Sequence, residues 1–172
     1  GTVSGTAISF GSAAVFESAT TNYPSATFDS ENNKVVIAYQ DGTNSNTGTA
    51  VVGTVSGTAI SFGTAVVFDA SATTYAAVAF DSNANKVVIS STDATSNDNG
   101  TVIVGTVSGT SISFGTPAIF ETGNTIYISS TFDSNSNKVV IAYQDDANSD
   151  QGTGVVFDTA PTLTIASDYY AQ

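Results

Sequence analysis

The side chains that could do chemistry in this sequence are carboxylates and amides gathered in three similar polar loops. The chain has no histidine and no cysteine, so these oxygens are its main candidate metal ligands. Calcium prefers such hard oxygen ligands, and it is the one cofactor that the sequence predicts. The same residue types also form hairpin turns, which is the alternative interpretation. The candidate ligands are Asp41, Asn44, Asn46, Asp93, Asn97, Asp98, Asp145, Asp146, Asn148 and Asp150.

Catalysis is not expected from these loops. Without histidine or cysteine, nucleophilic triads that need them are excluded, and acid–base work would fall to carboxylates. Adjacent acids such as Asp145 and Asp146 in a turn-rich loop are usually solvated. The sequence also lacks a glycine-rich phosphate loop, zinc-ligand spacing and a dinucleotide fingerprint. We therefore predict that the protein is not an enzyme.

Three tyrosines form a second candidate site, for glycans. Tyr23, Tyr75 and Tyr127 occupy equivalent positions, beside loops at residues 17–22 and 41–48 that are expected to emerge on one face. Aromatic, Asn and Asp side chains on a repeated rim would suit sugar binding, whereas packing at strand ends is the alternative. Asn99 begins the sequon Asn-Gly-Thr, which we place on an exposed loop and which becomes glycosylated only in a source that adds such glycans.

A repeat of 52 residues organises these candidate residues. The segment that starts at Asp29 returns at Asp81 and Asp133, and every other landmark keeps the same step without insertion or deletion. The repeats are copy 1 (residues 1–52), copy 2 (53–104) and copy 3 (105–156). Residues 157–172 leave the repeat, and the alternation of Leu163 and Ile165 predicts a different C-terminal edge strand. Periods of this length mark repeat architectures.

Each copy is predicted to contain four antiparallel strands, so the fold class is all-β. The common residues are Val, Ile, Ala and Phe, alternating with Thr, Ser, Asn and Gly, and this composition favours strands and turns. Four short strands per repeat of this length are typical of a β-propeller blade; a two-sheet β-sandwich is the alternative. In the first full unit the predicted strands are Tyr23–Phe28, Lys34–Tyr39, Thr49–Val55 and Thr58–Phe68.

The two ends of the array are predicted to be open. By this division the chain starts within a fourth strand and leaves the repeat after a third one. Three blades are too few to close a ring, because propellers typically need at least four. Unpaired edges accept further strands, so either several chains close a ring, or subunits join head to tail into a filament, or a parent chain carries more repeats.

Charge and composition limit the partners. The formal net charge is −12, and Lys34, Lys86 and Lys138 are the only basic residues. Such a surface repels nucleic acids and anionic membranes, so we predict neither as a partner. No apolar run approaches the ~18 residues of a membrane span. Methionine is absent, which leads us to expect that the sequence is a piece of a longer protein.

The repeat resembles tandem repeats in large structural proteins of aquatic phages, such as tail fibres and other virion appendages, and in related environmental sequences. The resemblance is carried by Gly-Thr-Val-Ser-Gly-Thr-(Ala/Ser)-Ile-Ser-Phe-Gly and by Phe-Asp-Ser-x-x-Asn-Lys-Val-Val-Ile-Ala-Tyr-Gln-Asp. It covers residues 1–156. It implies an extracellular, repetitive part with a structural or adhesive role, and it implies no catalytic residue.

Two functions therefore remain open at the level of sequence. The first is a structural module of an extracellular filament or virion appendage, which assembles with copies of itself through open β edges at its ends. The second is a lectin-like propeller that binds surface glycans, with or without calcium. Loops that differ between copies favour the structural role over three equivalent sugar sites.

Overall fold

The computed structural model describes residues 2–159, which form an all-β protein without α-helix in that range. A short 3-10 turn covers Asp146–Asn148. The strands are β1 (Thr2–Ser4), β2 (Ala7–Ser9), β3 (Thr21–Asp29), β4 (Lys34–Asp41), β5 (Thr47–Ser56), β6 (Ala59–Phe62), β7 (Val66–Asp81), β8 (Lys86–Asp93), β9 (Asn99–Ser108), β10 (Ser111–Phe114), β11 (Ala118–Glu121), β12 (Thr125–Asp133), β13 (Lys138–Asp145) and β14 (Gln151–Phe157).

The recurring hairpin of β3 and β4 follows directly from its turn residues. Asp29 is buried, and its Oδ1 accepts the backbone N–H groups of Glu31 and Asn32 at 3.0 and 2.9 Å. Asn33 then takes a left-handed φ of 53°, which Asn tolerates better than most residues. The same turn joins β7 to β8 and β12 to β13. The predicted hairpin is confirmed.

The strands form three antiparallel sheets, none closed into a barrel. The largest runs β10–β9–β8–β7–β5–β4–β3, with β6 also paired to β5 and β11 also paired to β9. A separate sheet contains β12, β13 and β14, and β1 pairs with β2 in a two-stranded sheet. Pro24 lies in β3, which pairs only with β4 among the described strands, as expected of an edge strand that carries proline.

Two details of the strand assignment differ from the sequence-based prediction. The predicted fourth strand Thr58–Phe68 is divided into β6 and the start of β7. The loop predicted at residues 17–22 of copy 1 has no counterpart in copy 2, because the 16-residue strand β7 runs without a break through the equivalent residues 69–74, pairing first with β5 and then with β8. The predicted C-terminal edge strand concerns residues 157–172; Phe157 ends β14, and residues 160–172 lie outside the described part.

The core lies between successive copies, not within each one. One cluster joins Val36, Ala38, Ala50 and Val52 of copy 1 to residues of copy 2 that include Val78, Phe80, Val87 and Ile89. A second cluster joins Ala79, Val88 and Val102 of copy 2 to Val139, Ile141 and Tyr143 of copy 3. We call these the first and the second seam. Each copy thus has a leading face, which covers the next copy, and a trailing face, which covers the previous one.

Candidate functional site

The candidate calcium ligands serve mainly as turn residues. Asp41 Oδ1 accepts Thr43 N, Thr43 Oγ1 and Asn44 N at 3.0, 2.9 and 3.2 Å. Asp93 Oδ1 accepts Thr95 N and Oγ1 at 2.9 and 2.7 Å. Partial burial raises the pKa of Asp93, but hydrogen bonds from Thr95 and Ser96 outweigh it and hold that pKa below its usual range. Left-handed φ values follow at Asn46, Asn97, Asp98 and Asp150.

The third loop differs from the other two. Asp146 and Asp150 approach one another at its base, and Gln144 Nε2 donates to Asp150 Oδ1 at 2.9 Å. The hydrogen bond between the two carboxyl groups raises the pKa of Asp146 and lowers that of Asp150. Asn148 Nδ2 donates to Gln151 Oε1 at 3.4 Å. Within residues 2–159, no three acidic side chains converge as the ligands of one metal ion would.

Removing divalent cations is expected to leave the folding stability unchanged. The carboxylates that calcium would use in the first two loops already accept backbone N–H groups, which hold the turns without a metal. The check is thermal unfolding in EDTA and in excess CaCl2, with MgCl2 as the control for ionic strength. A calcium-specific rise in Tm would contradict this expectation and restore the loops as a metal site.

The three repeated tyrosines form one continuous row. The ring centroids of Tyr23 and Tyr75 lie 4.9 Å apart, and those of Tyr75 and Tyr127 lie 5.3 Å apart. Each tyrosine has a left-handed φ between 50° and 54°, which is uncommon for a bulky residue. Each lies in a β-bulge, and this turns the rings toward one another. The rings therefore cover each other, and Tyr23 and Tyr127 are exposed at the ends of the row.

Two buried tyrosines donate hydrogen bonds to glutamates. Tyr39 Oη donates to Glu17 Oε2 at 3.1 Å, and Tyr143 Oη donates to Glu121 Oε2 at 2.8 Å. Burial, and then the hydrogen bond to Glu121, raise the pKa of Tyr143 to about 12. Burial and Glu17 raise the pKa of Tyr39 in the same way. Copy 2 carries Ser91 and Asp69 at the two equivalent positions, so both partners change together.

The stability of the protein is expected to fall as the pH rises from about 10 to about 12. An unfolded tyrosine ionises near pH 10, whereas folded Tyr143 keeps its proton until about pH 12, so ionisation in this window favours the unfolded state. Tyr143→Phe should lose about 1 kcal/mol at neutral pH and show a smaller alkaline decline. Urea unfolding at several pH values measures both. An unchanged pH dependence in the variant would contradict the role of this hydroxyl.

The predicted glycosylation site differs in position from the expectation. Asn99 is the first residue of β9, not part of an exposed loop, and its side chain is half-buried. Its Oδ1 accepts Gly123 N at 2.9 Å, and this hydrogen bond holds the amide against the neighbouring copy. The two loops that were expected to lie together do so, since Gly42 N donates to Thr20 O at 2.8 Å.

An open groove of about 480 Å³ runs along the inner strands β3, β7 and β12. Its lining contains no charged side chain; it consists of Ala26, Thr27, Phe28, Val78, Ala79, Phe80, Ser82, Ser130, Thr131 and Phe132. The three equivalent phenylalanines, Phe28, Phe80 and Phe132, lie along the groove. Phe80 in the middle is buried, whereas Phe28 in copy 1 is 55% exposed.

Both seams are built in the same way. Thr73 N donates to Asn46 O at 2.9 Å across the first seam, and Thr125 N donates to Asp98 O at 3.0 Å across the second. In the first seam Gln40 Nε2 also donates to Thr73 O at 2.6 Å; in the second, Thr92 Oγ1 donates to Thr125 O. Corresponding donors and acceptors lie 52 residues apart, so one geometry is used twice.

A glycine allows each copy to approach the next closely. A methyl group added at Gly11 would overlap the carbonyl oxygen of Thr58, and one added at Gly63 would overlap that of Thr110. A glycine between two predicted strand segments indicates a bulge or close packing, and at Gly11 the structure shows the close packing. At Gly115, the equivalent in copy 3, the nearest described atom to such a methyl group is Val104 O at 3.7 Å.

The leading face of copy 3 has the residue types of a seam but is not covered by described residues. Val52 in copy 1 is fully buried, whereas its equivalent Val156 is 63% exposed. Ala38 is buried and Ala142 is exposed. Gly48 and Gly100 lie under the rings of Phe68 and Phe120, with added methyl groups 2.5 and 2.6 Å from ring carbons. At Gly152 an added methyl group would have no described atom within 4 Å.

The inner part of the trailing face of copy 1 is exposed in the complementary way, whereas Tyr39 and Val51 on the same face are fully buried and the ring of Phe16 packs on that of Tyr39. Phe28 is 55% exposed although Phe80 is buried, and Ile37 is half-buried although Ile89 and Ile141 are fully buried. The sequence could not reveal this difference, because the three copies are nearly identical there. Gly152 was recognised from sequence as one of the recurring positions, with Gly48 and Gly100, but neither it nor Gly115 was given a role in packing.

Comparison with known proteins adds no relative to this description. Among residues 2–159, no helix has the length and apolarity that a membrane-spanning helix needs. No protein-family model matches the chain, and no curated protein or solved structure is significantly similar to it.

Proposed function

We propose that the protein is a non-catalytic structural repeat protein of an extracellular filament or virion appendage. Its copies would stack as β-propeller blades, and its partners would be further copies of the same chain. The packing supports this proposal, because β3–β4–β5 and β7–β8–β9 lie face to face across the first seam, and β12–β13–β14 packs on β7–β8–β9 across the second.

The division of strands at the two ends carries this proposal. The third strand β5 pairs with β6 and β7, and its equivalent β9 pairs with β10 and β11. In copy 3 the third strand β14 pairs only with β13 among the described strands. At the other end β1 and β2 form a two-stranded sheet by themselves, and an isolated hairpin of this kind is marginally stable in water. Among the described strands, the sheet of copy 3 therefore has no outer strand, and an outer strand is what β1 and β2 present at the other end.

The surface is also of the kind that assembly needs. The uncovered leading face is uncharged, at Val140, Ala142, Gly154 and Val156, in a chain whose net charge is −12. An exposed apolar face without charges is typical of a surface that contacts another protein surface. Exposed acidic groups such as Asp41, Asp93 and Asp133 lie at turns instead, where they favour solubility of the assembled form.

The proposal is tested by the mass and the shape of the particle in solution. Multi-angle light scattering after size exclusion should give a mass above the 17.4 kDa of one chain, and negative-stain images should show closed rings or filaments. A compact particle of 17.4 kDa at every concentration would overturn the assembly on which the proposed function depends.

A further inference from the structure

We propose that a second molecule of this chain docks as though it were the next repeat, with its copy 1 against the copy 3 of the first molecule. The inference rests on the proposed structural function and specifies the joint. The contact is a heterologous one, in which the trailing face of copy 1 covers the leading face of copy 3. The residues of this contact are found by moving each contact of the second seam forward by 52 residues, so that positions beyond 156 become positions of the second molecule.

The fourth strand of the last sheet comes from the second molecule. Gly63 N donates to Val52 O at 2.8 Å, and Gly115 N donates to Val104 O at 3.0 Å. Shifted by one period, Gly11 N of the second molecule donates to Val156 O, which lies on β14. Residues 10–16 of the second molecule thereby pair with the edge of β14 that no described strand covers, while Ala7–Ser9 keep their pairing with β1. Phe16 then lies over Gly152, as Phe68 lies over Gly48.

The donors and acceptors that hold the two seams have equivalents on the two surfaces that meet at this joint. Gln40 Nε2 reaches Thr73 O across the first seam, and the equivalent pair at the joint is Gln144 with Thr21 O of the second molecule. In the single chain Gln144 donates to Asp150 Oδ1 instead. The row of tyrosines continues as well, because Tyr127 is 66% exposed at one end and Tyr23 is exposed at the other.

One position distinguishes the joint from the two seams. Phe157 stands where copies 1 and 2 carry Gly53 and Gly105. A methyl group at Gly53 would meet Ile60 Cδ1 at 2.9 Å and the ring of Phe62 at 3.1 Å, so the equivalent Ile8 and Phe10 of the second molecule must both turn away from Phe157. Phe10 is 84% exposed in the single chain, and it is therefore free to do so.

The joint is tested with two variants that add one methyl group each to the same face. In Gly115→Ala the nearest described neighbour of the added methyl group lies at 3.7 Å, so the described part of the chain tolerates it. At the joint the same methyl group would overlap Thr6 O of the second molecule, just as a methyl group at Gly63 would overlap Thr110 O. In Gly154→Ala the methyl group fits, because copies 1 and 2 carry Ala50 and Val102 there within their seams.

Sedimentation velocity over a range of concentrations gives the association of wild type and of both variants. We expect Gly115→Ala to weaken association at least about tenfold, and Gly154→Ala to leave it within a factor of about two, which corresponds to differences of about 1.4 and 0.4 kcal/mol. Equal association of Gly115→Ala and wild type would overturn this joint and leave the structural function standing. Wild type that stays monomeric throughout would overturn both.

Discussion

Ile89→Ala is expected to lower the free energy of unfolding by about 3 kcal/mol. Ile89 is fully buried in the first seam, among Val36, Ala50 and Phe80. Its removal leaves a cavity between two strand sets of the largest sheet, β3–β4–β5 and β7–β8–β9, which are both held by main-chain hydrogen bonds, so the gap closes only in part. Urea unfolding, followed by circular dichroism at a concentration where the chain is monomeric, measures the loss.

Ile37→Ala is the matched control for this prediction. Both isoleucines follow Lys-Val-Val in the same strand of their copies, but Ile37 is half-buried because no described copy covers the trailing face of copy 1. We expect Ile37→Ala to lower the free energy of unfolding by only about 1 kcal/mol. Equal losses in the two variants would show that Ile37 is as well packed as Ile89. The description of the face around Ile37 as uncovered would then be wrong.

The local structure could be predicted from the sequence because local chemistry determines it. Asp29 and Asn33 define a turn that works within five residues, and the Val-rich strand after Lys34 needs only its alternation to be recognised. The all-β class, the hairpins and the close packing at Gly11 followed from such signals. These features depend on neighbours in the chain, which the sequence displays.

The burial of each copy could not be predicted, because it depends on what covers that copy. Val52 and Val156 have the same type and the same position in the repeat, yet one is fully buried and the other is 63% exposed. The row of Tyr23, Tyr75 and Tyr127 was likewise seen as three separate sites, since contacts across 52 residues are not visible in the pattern. Continuity of β7 through the predicted loop depends on its partners β5 and β8.

Gly63→Ala is expected to lower the free energy of unfolding by about 2 kcal/mol. The added methyl group would overlap the carbonyl oxygen of Thr110, and a backbone atom cannot avoid it by changing rotamer. Gly63 itself does not have a positive φ, so the backbone tolerates alanine and the cost arises from the contact between copies 2 and 3. The change should therefore loosen that contact while the hairpins stay intact.

Gly115→Ala separates this effect from a general intolerance of alanine at the glycine. No described residue lies closer than 3.7 Å to a methyl group at Gly115, so the unfolding free energy of Gly115→Ala should stay within about 0.5 kcal/mol of wild type. The two substitutions are chemically identical and differ only in whether another copy lies beside them. A loss of stability in Gly115→Ala equal to that in Gly63→Ala would mean that the glycine is required by its own strand. In that case its recurrence every 52 residues would reflect local folding, and it would no longer support contact between molecules.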